Sequence, residues 1–366
     1  MSDFPLFQAF PELERHFPRV VLTRLPTRVH RLENLGKQLG TQKLWMKRDD
    51  ESGLRYGGNK PRKLEFLLGE AVQRDAKTII TFGALGTNHG LATAFYAKRH
   101  GLRCVLVLVE QPPNDKMLNH LQMMHHLGAE LVYAGNSVGA GVFGAFQFVK
   151  QWIVQKGELP YLIMPGGSTP LGALGYVNAA FELAAQIEAG ELPMPDRMYI
   201  PVGSNGSMAG LALGCRLAGI TSDVVGVLVA DYPTINSTGL AKLGNQCWRM
   251  MRKKVSSIPK GKLKKRDILT IKDQMGKGYA HFTPEGTQAI QSLKECEGIE
   301  LEGVYSGKAL AGLFKDIKEK DNRKKNILFW NTYNSMPVSD FLPPREEYTE
   351  LPKAFHRYFE EPELLR

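Results

Sequence analysis

Short apolar runs alternate along the chain with longer stretches in which apolar residues recur every three or four positions. The runs at 43–47, 78–82, 103–109, 130–133, 197–202, 224–230 and 326–330 have the length and apolar character of buried strands. The stretches 61–74, 91–100, 117–126, 174–189 and 208–217 carry helical spacing. Strand and helix in turn predict an α/β fold with a parallel sheet and crossover helices. In such folds ligands collect where strand ends meet helix starts. Three glycine-rich junctions stand at such places: GALGTNHG at 83–90, PGGSTPLG at 165–172 and PVGSNGSMAG at 201–210.

A lysine occupies a fourth junction. In Gly57-Gly58-Asn59-Lys60-Pro61-Arg62-Lys63 it follows a glycine turn and directly precedes a helix whose first residue is Pro61, a position that needs no N–H. A cation is disfavoured at a helix start, so a surface role fits poorly. An amine held there can form an imine with an aldehyde cofactor and later act as a base. At 203–207, Gly203, Ser204, Asn205, Gly206 and Ser207 follow an apolar strand and open a helix, which makes a phosphate cradle of backbone N–H groups and hydroxyls. It matches neither the Walker loop nor the dinucleotide fingerprint, and a tight strand-to-helix turn would use the same glycines. At 87–89, Thr87, Asn88 and His89 offer a hydroxyl, an amide and an imidazole at a helix start where a carboxylate could be received; a helix cap would use Thr or Asn equally well. Tyr279 in GKGYA and Tyr305 in GVYSGKA are phenols flanked by glycine, which suits either a close ligand approach or a packed core. An imine-forming lysine, a phosphate cradle and a carboxylate-receiving helix start together point to pyridoxal phosphate and an amino-acid substrate.

Composition narrows the class. The 366 residues are 43% apolar and 23% charged, an ordinary globular balance, and the length suggests two domains or a core with a smaller lobe. The net charge of +10 is concentrated in one stretch, 249–266, with nine basic and no acidic residues. It reads as a solvated insertion, because a nucleic-acid protein would spread its basic residues over a face. The four cysteines (Cys104, Cys215, Cys247, Cys296) form no metal-binding spacing, so no metal is expected, and they fit a reducing compartment. The opening residues lack a signal-peptide pattern and no run approaches a membrane span, so a cytoplasmic protein is expected. The Pro- and Glu-rich stretch 343–366 is expected to wrap the surface.

Six stretches in order resemble the fold-type II pyridoxal-phosphate enzymes of the 1-aminocyclopropane-1-carboxylate deaminase and D-cysteine desulfhydrase family: LPTRVHRLENL, WMKRDDESGLRYGGNKPRKLEFLLGEA, FGALGTNHGLATA, PGGSTPLGALGYVNAAFELAAQ, PVGSNGSMAGL and VYSGKALAGL. The resemblance implies two α/β lobes, tryptophan synthase β-like, with twisted, mostly parallel sheets: a smaller lobe at 61–170, and a larger cofactor-binding lobe at 1–60 and 171–366 with a basic insertion at 249–266. It implies a homodimer. It implies that Lys60 is the cofactor-binding lysine, Asn88 meets the cofactor's phenolic oxygen, Gly203–Ser207 hold its phosphate and Ser306 meets its ring nitrogen. Thr87 and His89 would meet the substrate carboxylate, Thr87 would assist proton transfer, and Tyr279 and Tyr305 would line the substrate pocket and take part in catalysis. The cyclopropane deaminases have glutamate at the position of Ser306; a hydroxyl there favours a neutral ring nitrogen and loss of a β-substituent. The implied activity is a lyase or deaminase releasing ammonia and a 2-oxo acid from a small amino acid, as D-cysteine desulfhydrases do. A racemase, a β-replacement enzyme or a non-catalytic cofactor binder are the alternatives. Two departures stand out. Thr87 replaces the family's usual serine, which adds a methyl expected to crowd the pocket. Asn331-Thr332-Tyr333-Asn334 replaces His-Thr-Gly-Gly, which adds bulk at the expected pocket wall.

Overall fold

Alternation along the strands sets the layers. In the strand Ile327–Asn331, Leu328 and Trp330 turn to one side while Ile327 and Phe329 turn to the other, and all four are fully buried. A strand with two covered faces is the expected product of an unbroken apolar run. The computed structural model describes residues 4–155, 157–319, 322–338 and 341–361. Its elements in chain order are α1 (Pro5–Ala9), α2 (Glu12–His16), β1 (Val29–Arg31), α3 (Glu33–Leu39), β2 (Leu44–Arg48), α4 (Asn59–Gln73), β3 (Thr78–Ala84), α5 (Asn88–Arg99), β4 (Arg103–Val109), α6 (Asp115–His126), β5 (Glu130–Gly135), α7 (Ser137–Val154), β6 (Tyr161–Ile163), α8 (Pro170–Glu188), β7 (Arg197–Val202), α9 (Gly206–Leu217), β8 (Asp223–Leu228), α10 (Ser237–Lys254), β9 (Leu269–Ile271), α11 (Pro284–Glu297), α12 (Ser306–Glu319), β10 (Ile327–Asn331) and α13 (Arg357–Glu360).

The chain divides into two units. Unit 1 holds the described residues up to Pro18, Thr23–Phe66 and Ser168–Met336. Its sheet has the order β1-β2-β10-β7-β8-β9, parallel except for β1 against β2. One face packs against α1, α8, α9 and α10 through residues such as Phe7, Tyr176, Leu211 and Trp248. The other packs against α3, α11 and α12 through Leu35, Leu293 and Leu310. The basic stretch does not begin as a loop. Arg249–Lys254 complete α10, because Met251 on the inner side of that last turn is fully buried and anchors it. The loop beyond is clamped by Trp248, whose Nε1 donates to the Pro259 carbonyl at 2.9 Å.

Unit 2 holds Arg19–Leu22, Leu67–Gly167 and the described residues from Pro337 onward. Its parallel sheet has the order β5-β4-β3-β6. One face carries α7, with Ala140 and Phe148 against Ile80, Val105 and Val107. The C-terminal stretch lies on unit 2: Gln122 Nε2 donates to the Pro344 carbonyl at 3.0 Å, and Tyr358 Oη to Glu110 at 3.2 Å. Residues 362–366 of the stretch expected to wrap the surface lie outside the described residues. Among the described residues no helix is long and apolar enough to cross a membrane, and no cluster could hold a metal ion.

Candidate active site

In unit 1 the helix start is moved by a clamp. The Asn334 side chain accepts from Gly57 N at 2.6 Å, and the Thr332 carbonyl accepts from Asn59 N at 3.1 Å. Gly58 has φ +85°, and a Cβ there would lie 2.9 Å from the Thr332 oxygen, so glycine is required. The clamp starts α4 at Asn59, ahead of the Pro61 start expected from sequence, and Lys60 sits inside the first turn. The segment 331–334 therefore grips the turn. The Tyr333 backbone oxygen would lie 3.1 Å from the same Cβ, and its half-buried phenol is pushed up to about 12 by burial.

Lys60 Nζ donates to Asn59 Oδ1 at 2.6 Å, and the same amide donates from Nδ2 to Ser207 Oγ at 2.9 Å. Asn59 thus ties the lysine to the 203–207 loop. Burial lowers the Lys60 ammonium to about 8, with the Glu302 carboxylate opposing the shift. That is close to what an amine nucleophile and base requires at neutral pH.

The 203–207 loop leads into α9. Thr or Asn side chains cap α5, α6, α7, α8, α10 and α11 by accepting first-turn N–H groups. At α9 the corresponding Asn205 makes no such bond; its amide donates instead to the Thr234 carbonyl at 2.8 Å. Gly206 N donates to Ser168 Oγ at 3.0 Å, which engages the PGGST junction. A Cβ on Gly206 would lie 3.1 Å from Lys63 Nζ, and Lys63 is almost fully buried. Burial, reinforced by Lys60, lowers the Lys63 ammonium well below its usual range. A helix start left open by its own cap residue, beside a buried amine that an anion would help to protonate, is an anion site.

Glycine at 203 makes room for an aromatic ring: a Cβ there would lie 2.2 Å from Tyr305 Cε1. Lys60 Nζ lies 6.0 Å from the centre of that ring. Tyr305 Oη donates to Tyr279 Oη at 2.8 Å. Burial pushes the Tyr279 phenol up to about 12 and Tyr305 well above its usual range. Both stay protonated, so Tyr279 keeps a proton to donate. Lys308 Nζ holds the Tyr279 loop by donating to the Met275 and Gly278 carbonyls at 2.7 and 3.0 Å. Ser306, fully buried, opens α12. The buried Glu302 carboxylate accepts the N–H groups of Val304, Tyr305 and Ser306 at 2.8, 2.6 and 2.8 Å.

Behind Lys60 lies an ionic network. Arg62 donates to Asp49 at 2.7 and 3.0 Å, to Glu182 at 2.8 and 3.1 Å, and to Thr27 Oγ1 at 3.1 Å. Lys47 Nζ donates to Glu182 at 2.6 Å, and Tyr176 Oη to Asp49 at 2.7 Å. These charged groups are at most 1% exposed. They fix the residue two places after the lysine.

In unit 2, Thr87 is the cap of α5: its Oγ1 accepts from Gly90 N at 3.1 Å. Its extra methyl does not crowd a pocket. Cβ atoms on Gly83 and Gly90 would lie 2.7 and 2.4 Å from Cγ2, so two glycines form a hollow that houses it. Thr81 Oγ1 donates to the Ile163 carbonyl at 2.8 Å and contacts His89 Nε2 at 3.1 Å. Its one proton being spent, Thr81 accepts from His89, which puts the imidazole proton on Nε2. Asn88 Oδ1 is buried without a hydrogen-bond partner. Such an atom calls for a donor.

The structure thus brings Lys60, the 203–207 loop, Tyr279, Tyr305 and Ser306 together in unit 1, and Thr87, Asn88 and His89 together in unit 2. Sequence reasoning passed over Asn59, Lys63, Glu302 and Lys308. Lys63 and Lys308 carry a signal in hindsight: each follows its motif residue at a helix start, where a cation is unfavourable. The unit 1 residues fit pyridoxal phosphate, whose carbonyl and phosphate match a low-pKa amine and a helix start left open by its own cap residue.

Comparison with known proteins agrees. Residues 20–332 match the family model described as pyridoxal-phosphate dependent enzyme. The chain is 34% identical to a D-cysteine desulfhydrase of Klebsiella pneumoniae, over 89% of this chain and 97% of that one. It is 32% identical to a mitochondrial bifunctional D-cysteine desulfhydrase/1-aminocyclopropane-1-carboxylate deaminase of Arabidopsis thaliana, over 87% and 79%. The crystal structure of an ACC deaminase homologue superposes with a TM-score of 0.76 at 31% identity, covering 92% of this chain and 97% of that one. The chain belongs to the family of pyridoxal-phosphate dependent enzymes.

Proposed function

We propose that this enzyme is a lyase that removes the β-substituent and the amino group of a small amino acid, with D-cysteine as the leading substrate. The overall reaction would convert D-cysteine and water to pyruvate, hydrogen sulfide and ammonia. The observation that carries the reading is Lys60: an amine lowered to about 8 and bridged through Asn59 to the phosphate-type loop. When bound, the cofactor supplies the carbonyl that takes up amines and the ring that draws electrons from the substrate's Cα.

The chain's residues would do the rest. Lys60 would hold the cofactor covalently and, once released, take the proton from Cα. The α9 start and Lys63 would hold the phosphate, and Ser306 would meet the ring nitrogen with a neutral hydroxyl, which favours elimination over cyclopropane opening. Tyr279 would donate its proton to the departing substituent, with Tyr305 and Lys308 keeping it in position. In unit 2, Asn88 would bond the cofactor's ring oxygen. The α5 start, with Thr87 and His89, would receive the substrate carboxylate, and the Thr87 hydroxyl would assist proton transfer. We read the protein as a cytoplasmic homodimer, with unit 1 as the cofactor-binding lobe and unit 2 as the smaller lobe; four free cysteines suit a reducing compartment.

The test is an absorbance spectrum of purified protein, then a panel of D- and L-amino acids assayed for 2-oxo acid release. A visible-edge band lost in Lys60→Ala, with 2-oxo acid and sulfide formed from D-cysteine, is the expected result. Chiral inversion without 2-oxo acid would make the enzyme a racemase. A band with no turnover would make it a cofactor binder.

A further inference from the structure

The helix α7 is amphipathic the wrong way round. Its solvent side carries Val138, Val142, Phe146, Val149, Trp152 and Ile153, exposed by 78, 65, 62, 49, 46 and 66%. These positions recur at helical spacing and form one stripe. The side toward the sheet carries Gly144, packed so closely on Phe82 that a Cβ would lie 2.6 Å from its ring, together with Gln147 and Gln151. Both glutamine Oε1 atoms are buried without partners. The stripe continues beyond the helix. Ile80, which packs against α7, pairs in register with Leu162 on the edge strand β6, so Leu162 shares that face, and it is 43% exposed.

We propose that this face is the contact surface between two copies of the chain; this rests on the two-copy reading above and names its surface. The helix's sole charged residue, Lys150, is tied to Glu130 at 2.6 Å. The face therefore has nothing to offer a charged partner. It also lacks the cationic flank by which a helix lies on an anionic membrane. An uncharged apolar stripe is complementary to itself, as a two-fold contact requires. Gly141 and Ala145, both exposed within the stripe, let two such helices approach closely. The outward side chains present on the order of 900 Å² of apolar surface, where an ordinary monomer's largest patch is ~300–600 Å². A standard interface buries roughly 800 Å² per partner, so this patch is large enough alone.

The experiment weighs the enzyme, loaded with pyridoxal phosphate, by sedimentation and light scattering at micromolar concentration. The wild type is expected at twice its 40.8 kDa chain mass. In Val142→Glu/Phe146→Glu four carboxylates, two from each copy, would be desolvated in the contact, so self-association should weaken by ~100-fold or more. The visible cofactor band should persist, since both positions are exposed. Val72→Glu, at a 46% exposed position of α4, should leave the dimer intact. A double variant that stays dimeric overturns α7 as the surface while leaving the two-copy reading. A monomeric wild type overturns both, and its co-sedimentation with phosphatidylcholine–phosphatidylserine vesicles would assign the face to a membrane. Neither result touches the proposed reaction.

Discussion

Arg62→Met is a severe test of how the lysine is held. The substitution keeps an unbranched apolar stem but removes the guanidinium and its five hydrogen bonds, to Asp49, Glu182 and Thr27. Asp49 and Glu182, 0 and 1% exposed, would keep only Tyr176 with the Thr27 hydroxyl, and Lys47 with Thr27, respectively. Removing one member of a buried ionic set costs about 3–5 kcal/mol. In urea this should lower the unfolding midpoint by roughly 1–2 M. Trp330, fully buried with its ring 6.0 Å from that of Tyr176, reports unit 1 by fluorescence. The pH dependence separates charge from packing. Burial by itself would raise the Glu182 pKa, but Arg62 and Lys47 outweigh it and hold the carboxyl below its usual range. A depressed folded pKa contributes stability above the unfolded pKa and loses it as pH falls. Without Arg62 the burial effect gains, and the folded variant can take up a proton that the wild type does not. The gap between wild type and variant should therefore shrink by about 1–2 kcal/mol between pH 7.5 and 5.5. A midpoint change under about 0.3 M, or a gap that is the same at both pH values, would refute the reasoning.

Two other outcomes follow from the geometry of the site. Gly90→Ala places a Cβ 2.4 Å from the Thr87 methyl and should destabilise by about 1–3 kcal/mol; Thr87→Ser in the same chain should restore most of it, measured by a double-mutant cycle. Because burial lowers Lys60 to about 8, half of the amine is neutral at that pH and nearly all of it about one unit above. Reconstitution of apoenzyme with pyridoxal phosphate, followed by stopped-flow absorbance, should be half-maximal near pH 8 and level off about one unit above; a rate still climbing steeply toward pH 10 would place the amine in water.

Much of the architecture was readable from the residues. β4 and β7 span the runs 103–109 and 197–202 read from the sequence, because both are apolar along most of their length and covered on both faces. The three-residue strands β1, β6 and β9 were missed; pairing, rather than their own pattern, makes them strands. α7 was missed for a different reason. Its apolar stripe faces outward and its glutamines inward, so the usual reading of which side is core does not apply. At the site, Lys60 and the 203–207 loop announced themselves through glycine and helix-start chemistry. Glu302 did not, because its value lies in meeting three backbone N–H groups that converge only after α12 forms. Arg62, Asp49 and Glu182 look like surface charges in a linear reading; their pairing spans 120 residues and exists only in three dimensions.

The hollow around the Thr87 methyl also constrains history. A lineage could acquire threonine at that position only after residue 90 had become small, and afterwards residue 90 could not enlarge again without first surrendering the methyl; residue 83 is held small by the Cβ and hydroxyl that serine would share. Residues 87 and 90 should therefore change as a pair among the chain's relatives, with the order of replacement imprinted on the branches.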